Sequence, residues 1–419
     1  MKKVLFLLLS AVMISSCCTS NSGNIKLQKV SPESVGMCSE RLQLADSVIN
    51  QAIAKSEIPG AVLAVVRGDK IAYLKAYGNK QVYPDTVKMT ENTIFDLASV
   101  SKCVGTTLSF LQLVENGKVR LTDPVEMYIP GFQQWVDPET GRKTSIRVQD
   151  LLSHSSGILP YINTASYLKK YGPATPDSLI KHIAQELPLK YKPTTGYTYS
   201  CLNFITLQNI LQNVTGMKLY QYAQQNVFGA LGLKHTSYLP LDAADRQEAL
   251  STVTPDFLSL VAPTEVENGK VILGEVHDPT ARLVNMGNSG NAGVFSNAED
   301  LAVIAAAILN KGEVKGRRVL SPLMVETMMT NPKTNDPSIE RNLGWDTYTT
   351  GAGTKGDIFL TQPNTFVHTG YTGTSMLFDI DNNCCVILLT NRVHPSDAAG
   401  VVARTRGVVA NIVAASIME

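Results

Sequence analysis

Apolar residues recur between Leu42 and Ile53 at the spacing of a helix: Leu42, Ala45, Ile49, Ala52 and Ile53 share one face, with Ser39 placed to cap its start. Pro59-Gly60 ends this segment, and the period then shortens to that of strands. Ala61 to Val66 and Ile71 to Tyr77 flank the turn Arg67-Gly68-Asp69-Lys70, while Thr374 to Ile380 and Cys385 to Thr390 flank Asp381-Asn382-Asn383; both pairs predict hairpins. Adjacent Cys384 and Cys385 read as ordinary strand residues, one on each face. Ser396 and Asp397 then open a last helix rich in Val and Ala. Residues 99–294 hold helical patches such as Val100/Val104/Leu108/Leu111 and Phe204/Leu207/Ile210/Leu211/Val214, separated by long loops. The prediction is an α/β fold in which residues 36–98 and 295–419 build one antiparallel β-sheet flanked by helices, with a large, mainly helical insertion over 99–294.

The first residues concern location. Lys2 and Lys3 precede an apolar run from Val4 to Met13, and Ile14-Ser15-Ser16 then leads to Cys17. That run is about half of the ~20 residues a spanning helix needs, so it reads as an export signal. Small residues before a cysteine resemble a bacterial lipobox, which makes 1–16 a lipoprotein signal peptide and Cys17 the lipid anchor. Residues 17–35 then form a polar tether. The expectation is an exported, periplasmic or cell-surface lipoprotein, attached to the membrane through its lipid alone.

Composition narrows the classes further. In 419 residues, 37 Lys+Arg against 36 Asp+Glu leave a net charge of +1, which offers no footprint for nucleic acid. No CxxC or HExxH occurs, so no metal or other cofactor is expected. Cys38, Cys103, Cys201, Cys384 and Cys385 are too dispersed for a disulfide scaffold.

A serine becomes a nucleophile when a nearby base takes its proton, and a lysine is that base only as the neutral amine. Residues i and i+3 share a helix face, and three Ser/Lys pairs have this spacing: Ser99/Lys102, Ser166/Lys169 and Ser178/Lys181. The second leads into a polar loop, and the third opens a short amphipathic helix. Ser99 and Lys102 instead begin a long apolar helix ending near Asn116-Gly117, where burying an unpaired ammonium would be costly. Other polar residues have plainer readings. His154 in a Ser/Gly-rich turn is expected to bond local backbone, and Tyr197 to be a packed aromatic. His277-Asp278 are neighbours that rarely face one site. Glu265 reads as a loop residue and Asn288 to Gly293 as a tight turn that could border a cleft, while Asp300 suits the first turn of a helix.

Phe95-Asp96-Leu97-Ala98-Ser99-Val100-Ser101-Lys102 resembles the first motif of serine β-lactamases and penicillin-binding proteins, and in particular the class C β-lactamase-like group. Leu151-Leu152-Ser153-His154-Ser155-Ser156-Gly157, Tyr199-Ser200-Cys201, Gly290-Asn291-Ala292-Gly293-Val294-Phe295-Ser296 and His368-Thr369-Gly370 resemble further segments of that group, in its order. The resemblance implies a β-lactamase/transpeptidase-like fold with the active-site serine at the start of the helical insertion. It also implies a two-step acyl transfer. Lys102 takes the proton of Ser99, Ser99 attacks a carbonyl, and Tyr199 shuttles the proton, its pKa lowered by charged Lys102. Backbone amides of Ser99 and Tyr371 would hold the oxyanion, and His368, Thr369, Gly370 and Cys201 would contact substrate. Two departures bear on specificity. Cys201 stands where the group usually has an amide side chain, and His368 where it usually has lysine, so amide and carboxylate recognition are both weakened. The reading is an exported serine hydrolase or acyltransferase acting on a small-molecule or peptide ester or amide. Alternatives are a D,D-peptidase or D-aminopeptidase, a weak β-lactamase, and a non-catalytic module that binds cell-wall material.

Overall fold

The computed structural model describes residues 23–332, 334–336, 339–347, 353–397 and 402–418. The signal segment 1–16 and Cys17 lie outside them.

Strands β1 (Gln28–Lys29), β2 (Gly60–Arg67), β3 (Lys70–Gln81), β4 (Thr365–Thr369), β5 (Ser375–Asp379) and β6 (Cys384–Thr390) run in the order β1-β3-β2-β6-β5-β4 in the main sheet, and a seventh short strand, Val87–Lys88, pairs antiparallel with β3. The predicted hairpins are the β2–β3 and β5–β6 pairs, and β6 joins β2 antiparallel from Cys384↔Arg67 to Thr390↔Ala61. The N-terminal and C-terminal parts of the chain thus share one sheet. The ladder is antiparallel except at its edge, where β1 pairs parallel to β3. That edge corrects the tether. Ile25 and Leu27 are buried, and a 3₁₀ turn spans Pro32–Val35, so the stretch from Asn24 to Val35 follows the folded body instead of hanging free.

Both faces of the sheet are covered, which is why β2 is apolar along its length. Ala61, Leu63, Val65 and Cys384 face helices α1 (Leu44–Ala54) and, at the chain's end, Ala403–Ser416. Val62, Ala64, Val66 and Cys385 face the larger core, which includes the apolar helix Ala298–Leu309. The cysteines therefore point to opposite faces, as the strand period requires.

Several boundaries differ from expectation. Ser39 does not cap: Cys38 holds that place, and the Ser39 amide donates to Glu33 (2.9 Å). The last helix spans Ala403–Ser416, and Asp397 is instead engaged by Tyr371 and Arg392 at the cleft. The helix of Ser99 is a 3₁₀ turn (Ala98–Val100), then a π turn (Lys102–Thr107), and becomes α only at Leu108–Glu115. Between the two sheet-building parts, helices such as Cys201–Thr215 are joined by loops and by short strand pairs, among them Trp135–Val136 with Lys143–Thr144. A small sheet of Ser237–Tyr238, Val294–Ser296 and Phe95–Asp96 anchors the segment that carries Ser99.

Candidate active site

The turn bearing Ser99 is held from below. Ala98 adopts φ +46°, a conformation unfavourable for a residue with a Cβ, and its amide donates to Asp96 Oδ1 (2.8 Å). Asp96 Oδ2 also accepts from the His277 amide (2.6 Å), so one buried carboxylate ties the serine turn to the 265–278 loop. From the other side, Thr374 Oγ1 donates to the Leu97 carbonyl (2.9 Å) and Thr372 Oγ1 to that of Asp96 (2.8 Å). Gly370 lies so close that an added Cβ would sit 2.2 Å from Thr374 Oγ1 and 2.4 Å from the Leu97 carbonyl. The segment after β4 can approach the nucleophile turn only as glycine.

Ser99 remains partly accessible, whereas Lys102 is fully buried. Lys102 Nζ donates to Ser99 Oγ (2.9 Å), to the Asn291 carbonyl (2.8 Å) and to Cys201 Sγ (3.6 Å), and lies 5.1 Å from the Tyr199 ring centroid. The Gly-rich turn thus borders the site, and Gly290 allows its close approach: a Cβ there would meet the Phe204 carbonyl at 2.0 Å. The Tyr199 phenol lies close enough to Ser99 and Lys102 for both to favour its ionised form.

The electrostatics of this cluster differ from the expected pattern. Burial pushes the Tyr199 phenol up to about 12, outweighing the opposing pull of Lys102, so its pKa is raised where the resemblance implied a lowered one. Burial likewise raises the Cys201 thiol. For Lys102, burial acts against the ammonium, yet the net displacement is upward, because Cys201 and Tyr199 would attract the ammonium once deprotonated. Three acceptors around Nζ match the three protons of an ammonium.

The His154 side chain bonds no local backbone. Its Nδ1 accepts from the Ser200 amide (3.0 Å) and its ring lies 4.5 Å from that of Tyr199, so it fixes the second motif from a distant segment. Ser200 Oγ then caps the following helix by accepting from Asn203 N (3.2 Å), placing Cys201 at its first turn. His368 is buried, and its Nδ1 bonds the Thr369 carbonyl (3.0 Å). Burial, with Arg341 and Lys102 nearby, holds its pKa well below the usual histidine range, so the imidazole is neutral.

Ser99, Tyr197, Tyr199, His368, Thr369, Gly370 and Tyr371 line one cleft of about 730 Å³. Arg341, Arg392 and Arg406 join them, and sequence reading had named none of the three. Arg341 pairs with Asp346 (2.6 Å) and donates to the Tyr197 hydroxyl (3.0 Å), which makes Tyr197 part of the cleft wall. Arg392 pairs with Asp397 (2.8 Å) and lies 4.8 Å from the Tyr371 ring centroid. Arg406 has no acidic partner among the described residues. Its Nη2 donates to the carbonyls of Gly370 (3.1 Å) and Thr374 (2.9 Å), while burial, with Arg392 nearby, lowers its pKa to about 9. It is still charged at neutral pH. A cation from the C-terminal helix thus lines the cleft that neutral His368 also lines.

The remaining candidates separate. His277 stacks on Tyr371 (5.8 Å between centroids) and bonds Glu265 (3.1 Å), which places Glu265 at the rim. Asp278 caps the next helix, accepting from Ala281 N (2.7 Å), and its charge favours the Lys102 ammonium; it makes no hydrogen bond to the His277 ring. Asp300 is buried in its first turn, where it accepts from His235 N (2.7 Å) and Thr236 Oγ1 (2.9 Å). Lys169 and Lys181 are exposed on surface helices, away from the cleft residues.

Comparison with known proteins agrees with this geometry. The family model described as Beta-lactamase matches residues 45–410. The chain is 31% identical over 415 residues to the "N-acetylmuramyl-L-alanine amidase" of Bacillus subtilis (strain 168), covering 94% of this chain and 92% of that protein. It is 30% identical over 404 residues to the "Putative D-alanyl-D-alanine carboxypeptidase" of Escherichia coli (strain K12), covering 94% and 91% respectively. Among solved structures, "EstCE1, a hydrolase with promiscuous acyltransferase activity" superposes with a TM-score of 0.65 at 22% identity, covering 90% of this chain and 99% of that one. Unliganded simvastatin synthase (LovD) from Aspergillus terreus, as its selenomethionyl derivative, gives 0.66 at 19% identity, covering 90% and 99%. With a sheet built from both chain ends, a Ser-x-x-Lys pair in hydrogen-bond contact and this match over most of its length, the chain belongs to the Beta-lactamase family, whose members are serine hydrolases and acyltransferases.

Proposed function

We propose that the protein is an exported serine hydrolase that forms an acyl-enzyme at Ser99 from peptide-like amides or esters carrying a carboxylate near the scissile carbonyl. The observation that carries the chemistry is the 2.9 Å contact between accessible Ser99 and buried Lys102. In the productive protonation state Lys102 is the neutral amine. It accepts the Ser99 proton as Oγ bonds the carbonyl carbon, and the Tyr199 hydroxyl relays a proton to the departing amine or alcohol. Water then attacks the acyl carbon, its proton passes through Tyr199 and Lys102 to Ser99 Oγ as the carbon–Oγ bond breaks, and the acid is released. The amides of Ser99 and Tyr371 hold the oxyanion, with Thr369 and Gly370 alongside.

Arg406 supplies the substrate class. A guanidinium with no acidic partner at the cleft favours a substrate that brings a carboxylate. The names of the curated relatives, an amidase and a carboxypeptidase, support the same direction. The lipobox-like start supports export and anchoring at Cys17. A second reading, transfer of the acyl group to an alcohol, is favoured by Cys201, whose thiol is a poorer partner for an amide than the usual side chain.

The test compares hydrolysis of a D-alanyl-D-alanine-terminated peptide with that of its C-terminal carboxamide. Ser99→Ala is expected to abolish both. Wild type should favour the free carboxylate by about tenfold or more, and Arg406→Met should erase that preference mainly through KM. Equal turnover of the two peptides by wild type would overturn the carboxylate assignment. Turnover surviving in Ser99→Ala would overturn the acyl-enzyme.

A further inference from the structure

A second cavity, of about 550 Å³, lies apart from the catalytic residues. It is lined by the hairpin residues Arg142, Lys143, Thr144 and Ser145, by Arg147, Gln149 and Asp150 at the following helix, and by Lys192, Pro193, Thr194 and Asn335. Arg142, Lys143, Arg147 and Lys192 are all exposed, and none takes part in an ion pair among the described residues. In a chain of net charge +1, four cations gathered around one concavity with no ion pair among the described residues is an uneven use of charge.

The nearby acids are engaged in hydrogen bonds, and Asp137 and Asp150 also lie within electrostatic reach of Lys192 and Arg147. Asp137 caps its own turn, accepting from Glu139 N (3.1 Å), Thr140 N (2.9 Å) and Thr140 Oγ1 (2.9 Å). Glu126 accepts from Ser145 Oγ and from Gln134 Nε2 (2.7 Å). Asp150 is 1% exposed; its Oδ2 accepts from the Arg147 amide (2.8 Å), while its Oδ1 is buried without a hydrogen-bond partner. That oxygen has no exposed surface, so it belongs to the wall of the cavity and not to its opening. The cations around it suit an oxyanion, and the arginine forks match phosphate or carboxylate oxygens in pairs.

We infer that this cavity is a binding site for an anionic saccharide-sized ligand. Its phosphate or carboxylate is held by Arg142, Lys143, Arg147 and Lys192. The inference stands independently of the proposed function, since none of these residues lies in the catalytic cleft.

The experiment is isothermal titration of the protein with glucose 6-phosphate, glucuronate and glucose at low ionic strength. Glucose 6-phosphate, glucuronate or both should bind, and glucose should not; the stronger of the two acids identifies the oxyanion. The double variant Arg147→Gln/Lys192→Gln, changed at exposed positions, should weaken that binding about tenfold or more, and added salt should weaken it too. Ser99-dependent ester hydrolysis, measured in parallel, should be unchanged in the variant and so report an intact fold. The inference is overturned if neither acid binds, if glucose binds as well as they do, or if the double variant binds as tightly as wild type.

Discussion

A single missing Cβ sets the distance between the third motif and the nucleophile. Gly370 packs against Thr374 Oγ1 and the Leu97 carbonyl, and Leu97 lies two residues before Ser99. Gly370→Ala must therefore push the segment after β4 away from the serine turn. We expect a stability loss of about 1–3 kcal/mol, as for other overpacked sites, and a larger effect on turnover, about a hundredfold, because reacting groups tolerate little displacement. Thermal melting and ester hydrolysis measured together check this; near-wild-type turnover would show that the close approach is unimportant. At this scale the sequence was informative about residue types. Ser99, Lys102, Tyr199, Cys201 and His368 could all be picked out by short motifs. What those side chains face was not legible: the burial that raises Tyr199 and holds His368 neutral comes from residues remote in the chain.

The helix Val148–Leu152 shows how an element stores a titration. Asp150 sits in its first turn, where burial raises its pKa to about 6 against the opposing Arg147 amide, from an ordinary 3.8. A carboxyl with a raised folded pKa binds more protons folded than unfolded between those values. Its effect on stability is therefore most favourable below about pH 4 and is lost as the pH rises through about 6. The gap corresponds to roughly 3 kcal/mol at most. Asp150→Asn removes this titration, so the stability of wild type relative to the variant should fall between pH 4 and pH 7 by up to about that amount in denaturant unfolding. A constant difference across that range would refute the assignment. Elements were legible where periodicity is strong, as in both hairpins and the helix over Leu44–Ala54. The π turn at Lys102–Thr107 was not, because an apolar stripe cannot report the local change in hydrogen-bond step.

The whole molecule depends on its two ends meeting. The β6–β2 ladder joins residues more than three hundred positions apart, and α1 and the terminal helix pack on the same face. The edge strand β1 belongs to this assembly. Removing residues up to Val35 would expose the surface covered by Ile25 and Leu27 and break the pairing of Gln28 and Lys29 with Lys70 and Ile71. Burying two aliphatic side chains contributes about 3 kcal/mol or somewhat more. A chain starting at Gly36 should therefore melt measurably below one starting at Gly23. Identical melting temperatures would restore the reading of this whole stretch as a tether.

The sequence by itself determined the elements with strong period and the chemistry carried by closely spaced residues. Both depend on local backbone geometry: alternation specifies a strand face, and the i, i+3 spacing brings Lys102 to Ser99 even through a turn that is not α-helical. Tertiary structure alone decided the cleft's charge. Arg341, Arg392 and Arg406 come from three separate segments, and no spacing links them to His368 or to one another. Their convergence follows from how the sheet and its covering helices pack, and packing is fixed by contacts between residues far apart in the chain.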